Sequence, residues 1–205
     1  MTDFLALGIN LETTGLTDDQ PGGLYRGGRI LEIGLALVRP DLTIHAAWHQ
    51  VIRPDVPVEI LRAECLPVVR EMHDASGLWT ECEHGMPLAD AVADALDWLA
   101  GHGVQRGELP LFGSSVHTDR EWLKHGKAGE IERYAHYRNI DVSTIKTLAA
   151  AWWPQWVPGL TPRKAHRVGP DILDSRDELI CYRDRVFRRI PVTFTGAAES
   201  VEVGP

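Results

Sequence analysis

Three apolar runs in the first 53 residues constrain the fold more than anything else in the chain. FLALGINL (4–11) and RILEIGLALV (29–38) both read as strands. Between them, TDDQPGGLYRGG (17–28) has the Gly, Pro and Asp content of a surface loop, and 43–53 reads as a third strand after the turn at Pro40-Asp41. The chain therefore opens as a three-stranded meander, and a sheet needs covering helices. The rest supplies them. Leu88, Ala91, Val92, Ala95, Leu96 and Leu99 fall on one helical face, with Gly101 and Gly103 as the stop. LPLFG (109–113) is a short buried strand, and Thr118 followed by Glu121 has the capping-box pattern of a helix start. A fifth strand is expected over 137–142 and a helix over 143–153. The segment 154–170, with four prolines and two glycines, is expected to be a loop, and Pro170 to open a last helix reaching about Arg189. The expected fold is α/β, a mixed five-stranded sheet flanked by helices. It should form one domain over 4–190 with a poorly ordered tail at 191–205.

Bulk properties narrow the function classes. At 205 residues the chain can bury one sizeable core. Residues 1–10 lack the basic start of an export signal, and no apolar run approaches the roughly 18 residues of a membrane span, so a cytoplasmic protein with no membrane partner is expected. Cys65, Cys82 and Cys181 are odd in number and widely spaced, which fits reduced thiols. A net charge of −8 argues against tracking long duplex DNA, an affinity that depends on neutralising many phosphates. A nucleic-acid substrate would be short and gripped locally.

The chemistry is carried by acids scattered along the chain. Asn10 and Glu12 leave one face of the first strand. Asp119 follows LPLFG at a helix start, where backbone N–H groups favour negative charge. His166 lies in the long loop, which the Gly169-Pro170 break frees to swing back, and Asp171 lies in the first turn of the last helix. All sit at strand ends or helix starts, the edge where such sheets place their sites. Glu12, Asp119 and Asp171 make a hard-oxygen set suited to Mg2+ or Mn2+ rather than zinc. Two such ions can activate water against a phosphodiester, with His166 as general base. Taken singly, Glu12 or Asp171 reads as a solvated charge, Asp119 as support for a helix start and His166 as an ordinary histidine.

LGINLETTGL (7–16) with ILEIGLALV, MHDASGL (72–78), SSVHTDREWL (114–123), HYRNIDVSTIK (136–146) and HRVGPDILDSRDEL (166–179) together resemble the oligoribonucleases, within the DEDDh group of 3′-to-5′ exonucleases. The matches run in order over roughly residues 4 to 190. The resemblance implies an RNase H-like fold, a homodimer, two Mg2+ or Mn2+ ions, and release of nucleoside monophosphates from very short single-stranded RNA, dinucleotides above all. Its acid quartet falls on Asn10, Glu12, Asp119 and Asp171, and its histidine on His166. Leu16 takes the place of a leucine that wedges against the bases. His73, Ser115 and a partner subunit's copy of Tyr137 take the places that cap the terminal phosphate. Read without the family, Leu16 would be core, His73 surface, Ser115 a turn residue and Tyr137 sheet packing. The chain departs from the pattern at Ser114, usually asparagine, at Val68, often aromatic, and at Asn10, where the family has its first aspartate, a change expected to weaken metal occupancy and impair the activity. Two other functions share these residues: a proofreading-type DNA 3′-to-5′ exonuclease, and a catalytically dead binder of short nucleotides.

Overall fold

The computed structural model describes residues 3–15, 20–125, 127–156, 159, 163 and 165–187. Strands β1 (Ala6–Thr13), β2 (Ile30–Val38) and β3 (Ile44–Arg53) form the expected antiparallel meander. All nine residues of β2 are buried, as its unbroken apolar run requires of a strand covered on both faces. Residues 58–82, which the sequence reading left unassigned, form three short helices, α1 (Val58–Glu64), α2 (Pro67–Ser76) and α3 (Leu78–Cys82). Pro67 occupies the first turn of α2, where its missing N–H costs nothing, and Gly77 ends it in the left-handed conformation. A two-residue strand β4 (Met86–Pro87) then pairs with β3, and α4 (Leu88–Gly101) follows on the predicted face.

The chain continues through β5 (Pro110–Gly113), α5 (Val116–His125), α6 (Gly129–Tyr134), β6 (His136–Asp141), α7 (Val142–Trp152) and α8 (Val168–Arg185). Among the described residues the sheet has six strands in the order β4-β3-β2-β1-β5-β6, with β5 and β6 parallel to their neighbours. The sixth strand is β4, too short to leave a periodic signal. Helix α5 starts before the expected cap, because Thr118 already donates its N–H to the Ser115 carbonyl. Helix α8 likewise starts at Val168 and runs through Gly169 and Pro170. Proline is tolerated there because first-turn N–H groups have no partner inside the helix. The expected break between His166 and Asp171 is therefore absent. Leu16 and the tail at 191–205 lie outside the described residues, as do most of 157–164.

Side-chain alternation decides which helix covers which face. Leu7, Ile9, Ile33, Leu35 and Leu37 join the core that includes Ala91, Ala95 and Leu99 of α4 and Trp122 of α5. Gly8 and Gly34 belong to the opposite face, and there the start of α8 lies against bare backbone. A Cβ at Gly34 would stand 2.5 Å from Val168 Cβ, and one at Gly8 would stand 3.3 Å from Ile172 Cγ2. Gly34 pairs with Asn10 in the β1–β2 register, so this close approach brings the first turn of α8 beside Asn10. Gly34→Ala is expected to overpack the contact and to cost about 1–3 kcal/mol. Urea unfolding measures this, and an unchanged midpoint would mean that α8 can step back freely.

Candidate functional site

The site forms where β1 and β5 end and where α5 and α8 begin. Asn10 and Glu12 project from β1 on the α8 face, opposite Gly34 and Glu32 of β2. Asp119, in the first turn of α5, is drawn back to the sheet because its Oδ1 accepts the Leu11 N–H at 2.9 Å. Asp171 is in the first turn of α8, half-buried. Asn10, Ser114, His166 and Asp171 line one open cleft of about 410 Å3, together with Asp174, Ser175 and Glu178 of α8. His166 precedes the helix with a left-handed backbone (φ 47°), an uncommon conformation for a residue with a Cβ.

The electrostatics are those of an acidic cluster lacking enough positive charge. Burial, reinforced by Asp171, Glu32 and Asp119, pushes the Glu12 carboxyl up to about 8, and Arg167 only partly offsets this. Burial also lifts Asp119 to about 8 despite the Leu11 N–H. Asp171 is raised as well, chiefly by burial, with His166 working the other way. The Oδ1 of Asn10 is buried and has no hydrogen-bond partner among the described residues. A buried orphan acceptor beside carboxyls that resist ionisation is the setting a hard cation satisfies, so the donor set fits Mg2+ or Mn2+. Among the described residues, however, no three or more His, Cys, Asp or Glu side chains are gathered as a ready cation-holding group. Like charges gain nothing by converging without positive charge between them, and the amide at position 10 removes one carboxylate from the set.

The positions matched to substrate contacts lie on different elements. His73 is fully buried, which corrects the surface reading of that residue. Its Nε2 donates to the Thr13 carbonyl at 2.9 Å, leaving the partnerless Nδ1 3.8 Å from Glu12 Oε2. Ser115, at φ 55°, is the expected turn residue, and its hydroxyl reaches Ser143 Oγ at 3.1 Å. Tyr137 is 74% exposed on the edge strand β6, not packed in the sheet, and the Arg138 guanidinium lies 5.5 Å from its ring centre.

Sequence reasoning missed Asp174, Ser175 and Glu178. With Asp171 they are spaced at i, i+3, i+4 and i+7, which already places them on one helical face. It also missed Glu32 and Arg167. Glu32, 1% exposed, is a single charge inside the apolar run RILEIGLALV and needs a partner wherever that run is buried.

No protein-family model matches the chain. It is 45% identical to the oligoribonuclease of Streptomyces coelicolor over 184 residues, covering 87% of this chain and 85% of that protein. Identity to the oligoribonuclease of Mycobacterium sp. strain KMS is 36%, covering 96% and 89%. For that of Shewanella amazonensis it is 38%, covering 88% and 94%. Among solved structures, cell-death related nuclease 4 superposes with a TM-score of 0.64 at 12% identity, covering 94% of this chain and 72% of the other. E. coli exonuclease I in complex with a dT13 oligonucleotide superposes with a TM-score of 0.62 at 13% identity over 89% of this chain, which spans 41% of that protein's length. These superpositions identify the RNase H-like exonuclease fold.

Proposed function

The chain belongs to the oligoribonuclease family, and on that premise we propose that it is a 3′-to-5′ exonuclease that shortens very short RNA, dinucleotides included, to nucleoside 5′-monophosphates. The observation that carries this reading is the single cleft joining Asn10, His166 and Asp171, with Glu12 and Asp119 coupled behind it. Asn10, Glu12, Asp119 and Asp171 would hold two Mg2+ or Mn2+ ions. When bound, such ions activate a water and stabilise the leaving oxygen of an in-line displacement.

The chain's own groups do the rest. His166, at the mouth of the cleft, takes the proton of the attacking water at an imidazole nitrogen. Ser115 receives the terminal phosphate with Tyr137 from a second subunit, which makes the homodimer part of the reading. His73 is too deeply buried in this chain to reach a phosphate without movement, and its Nε2 instead ties α2 to the end of β1. A cytoplasmic location belongs to this reading.

A digestion series of labelled RNAs of two to ten nucleotides, run with Asn10→Asp, tests the proposal. Dinucleotides are expected to be cleaved fastest. A preference for longer single-stranded DNA would favour the proofreading-type reading instead, and tight binding without cleavage would favour the nucleotide binder. Light scattering of the same sample that returned a monomer at micromolar concentration would remove Tyr137 from the site.

A further inference from the structure

Arg167 follows His166 directly, and its side chain turns away from the cleft to join two acids on different elements. Nε donates to Glu32 Oε2 at 2.9 Å and Nη2 to Glu32 Oε1 at 3.1 Å, a fork-on-fork pair. Nη1 and Nη2 also reach Glu81 of α3, at 2.9 and 2.7 Å. The Glu32 side chain is 2% exposed and that of Glu81 48%, so the pair has one buried and one open arm. Glu32 Oε2 also takes the Val168 N–H at 3.4 Å, capping the start of α8. In the register of the sheet, Glu32 is the direct partner of Glu12. One guanidinium thus ties the strand behind Glu12, the helix α3 and the turn that carries His166.

From this geometry we infer that Arg167 is a positioning residue: clamped by Glu32 and Glu81, it holds the left-handed turn that presents His166 to the cleft. This rests on the exonuclease reading above. Lysine keeps the charge but has no fork, so it recovers only part of the geometry. A clamp that acts through His166 also has nothing left to position once the imidazole is gone.

The test combines kinetics with amide exchange. In the Asn10→Asp form, Arg167→Met is expected to lower kcat on a dinucleotide by roughly 30-fold while KM stays within about twofold, with Arg167→Lys in between. In a His166→Ala background the same change should cost much less, leaving only the charge that Arg167 lends Glu12, because residues acting as a unit are non-additive. Equal losses with and without His166, or no loss at all, would overturn the inference. If Asn10→Asp cleaves no RNA of any length, the functional reading fails and the clamp is judged on the unaltered chain. Faster hydrogen exchange at the Val168 and Asp171 amides in Arg167→Met then supports it, and unchanged exchange there overturns it. Should Arg167→Met not fold, Glu81→Gln on the open arm replaces it: a several-fold fall in kcat at constant KM supports the clamp, and parental kinetics sink it.

Discussion

Replacing Asn10 with aspartate is expected to raise turnover on a dinucleotide by on the order of 10² to 10⁴-fold. Asparagine and aspartate have nearly the same shape, so β1 and its pairing with Gly34 are retained. The charge is what changes. An amide offers one neutral oxygen where a carboxylate offers two anionic ones, and its NH2 is a donor that faces a cation unfavourably. The proposed pair of divalent ions carries four positive charges, and the chain supplies three carboxylates, Glu12, Asp119 and Asp171, where the family supplies four. Each tenfold in rate corresponds to about 1.4 kcal/mol, so loss of one contact-range charge is enough for a change of this size. Titrating Mn2+ against turnover in both forms should give a higher apparent ion affinity and a higher plateau for Asn10→Asp. Equal curves would remove position 10 from the metal site. The buried, partnerless Oδ1 of Asn10 supports the prediction, because an isolated acceptor there is costly unless something binds it.

Much of the layout was legible because apolar periodicity is strong where burial is two-sided. The nine buried residues of β2 and the single apolar face of α4 left little ambiguity. Helices α1 to α3 were not legible. They are short, rich in polar residues, and packed in a cluster around Leu61, Leu78 and Trp79 that also includes Leu31 of β2, a partner distant in sequence. The starts of α5 and α8 were misread for a related reason. Capping pattern and proline position state where a helix can begin, whereas tertiary contacts decide where it does. Val168 is helical because Glu32 takes its N–H and Gly34 gives it room, and neither contact is local in sequence.

The site divided in the same way. Asp119 and Asp171 could be placed beside Asn10 because helix starts and strand ends meet at one edge of such a sheet. The burial of His73 could not be foreseen, because its packing on Trp79, with ring centres 5.3 Å apart, belongs to the helices that were missed.

Thermal stability without added divalent cation should fall as pH rises from about 4 to about 8, by several kcal/mol in total. In the unfolded chain Glu12 and Asp119 ionise near their ordinary values, 4.5 and 3.8, whereas in the folded protein both hold their protons to about 8. Between those limits the folded state binds more protons than the unfolded state, so the slope of unfolding free energy against pH is negative, and it flattens above about 8. For a chain of this length each kcal/mol moves the melting temperature by roughly 2 to 4 °C, so a drop of about 10 °C is expected over that window. Divalent cations held by the ionised carboxyls would compete with the protons. Mn2+ at about 100 times its dissociation constant adds about 2.7 kcal/mol. That gain should be largest near pH 8 and small near pH 5, where protons occupy the same oxygens. Glu12→Gln removes one of the raised carboxyls and should flatten the profile while weakening the response to Mn2+. A melting temperature that rose with pH over this range, or an Mn2+ effect as large at pH 5 as at pH 8, would mean that these carboxyls are already ionised in the folded protein, and that Asp119 and Glu12 are not waiting for a cation.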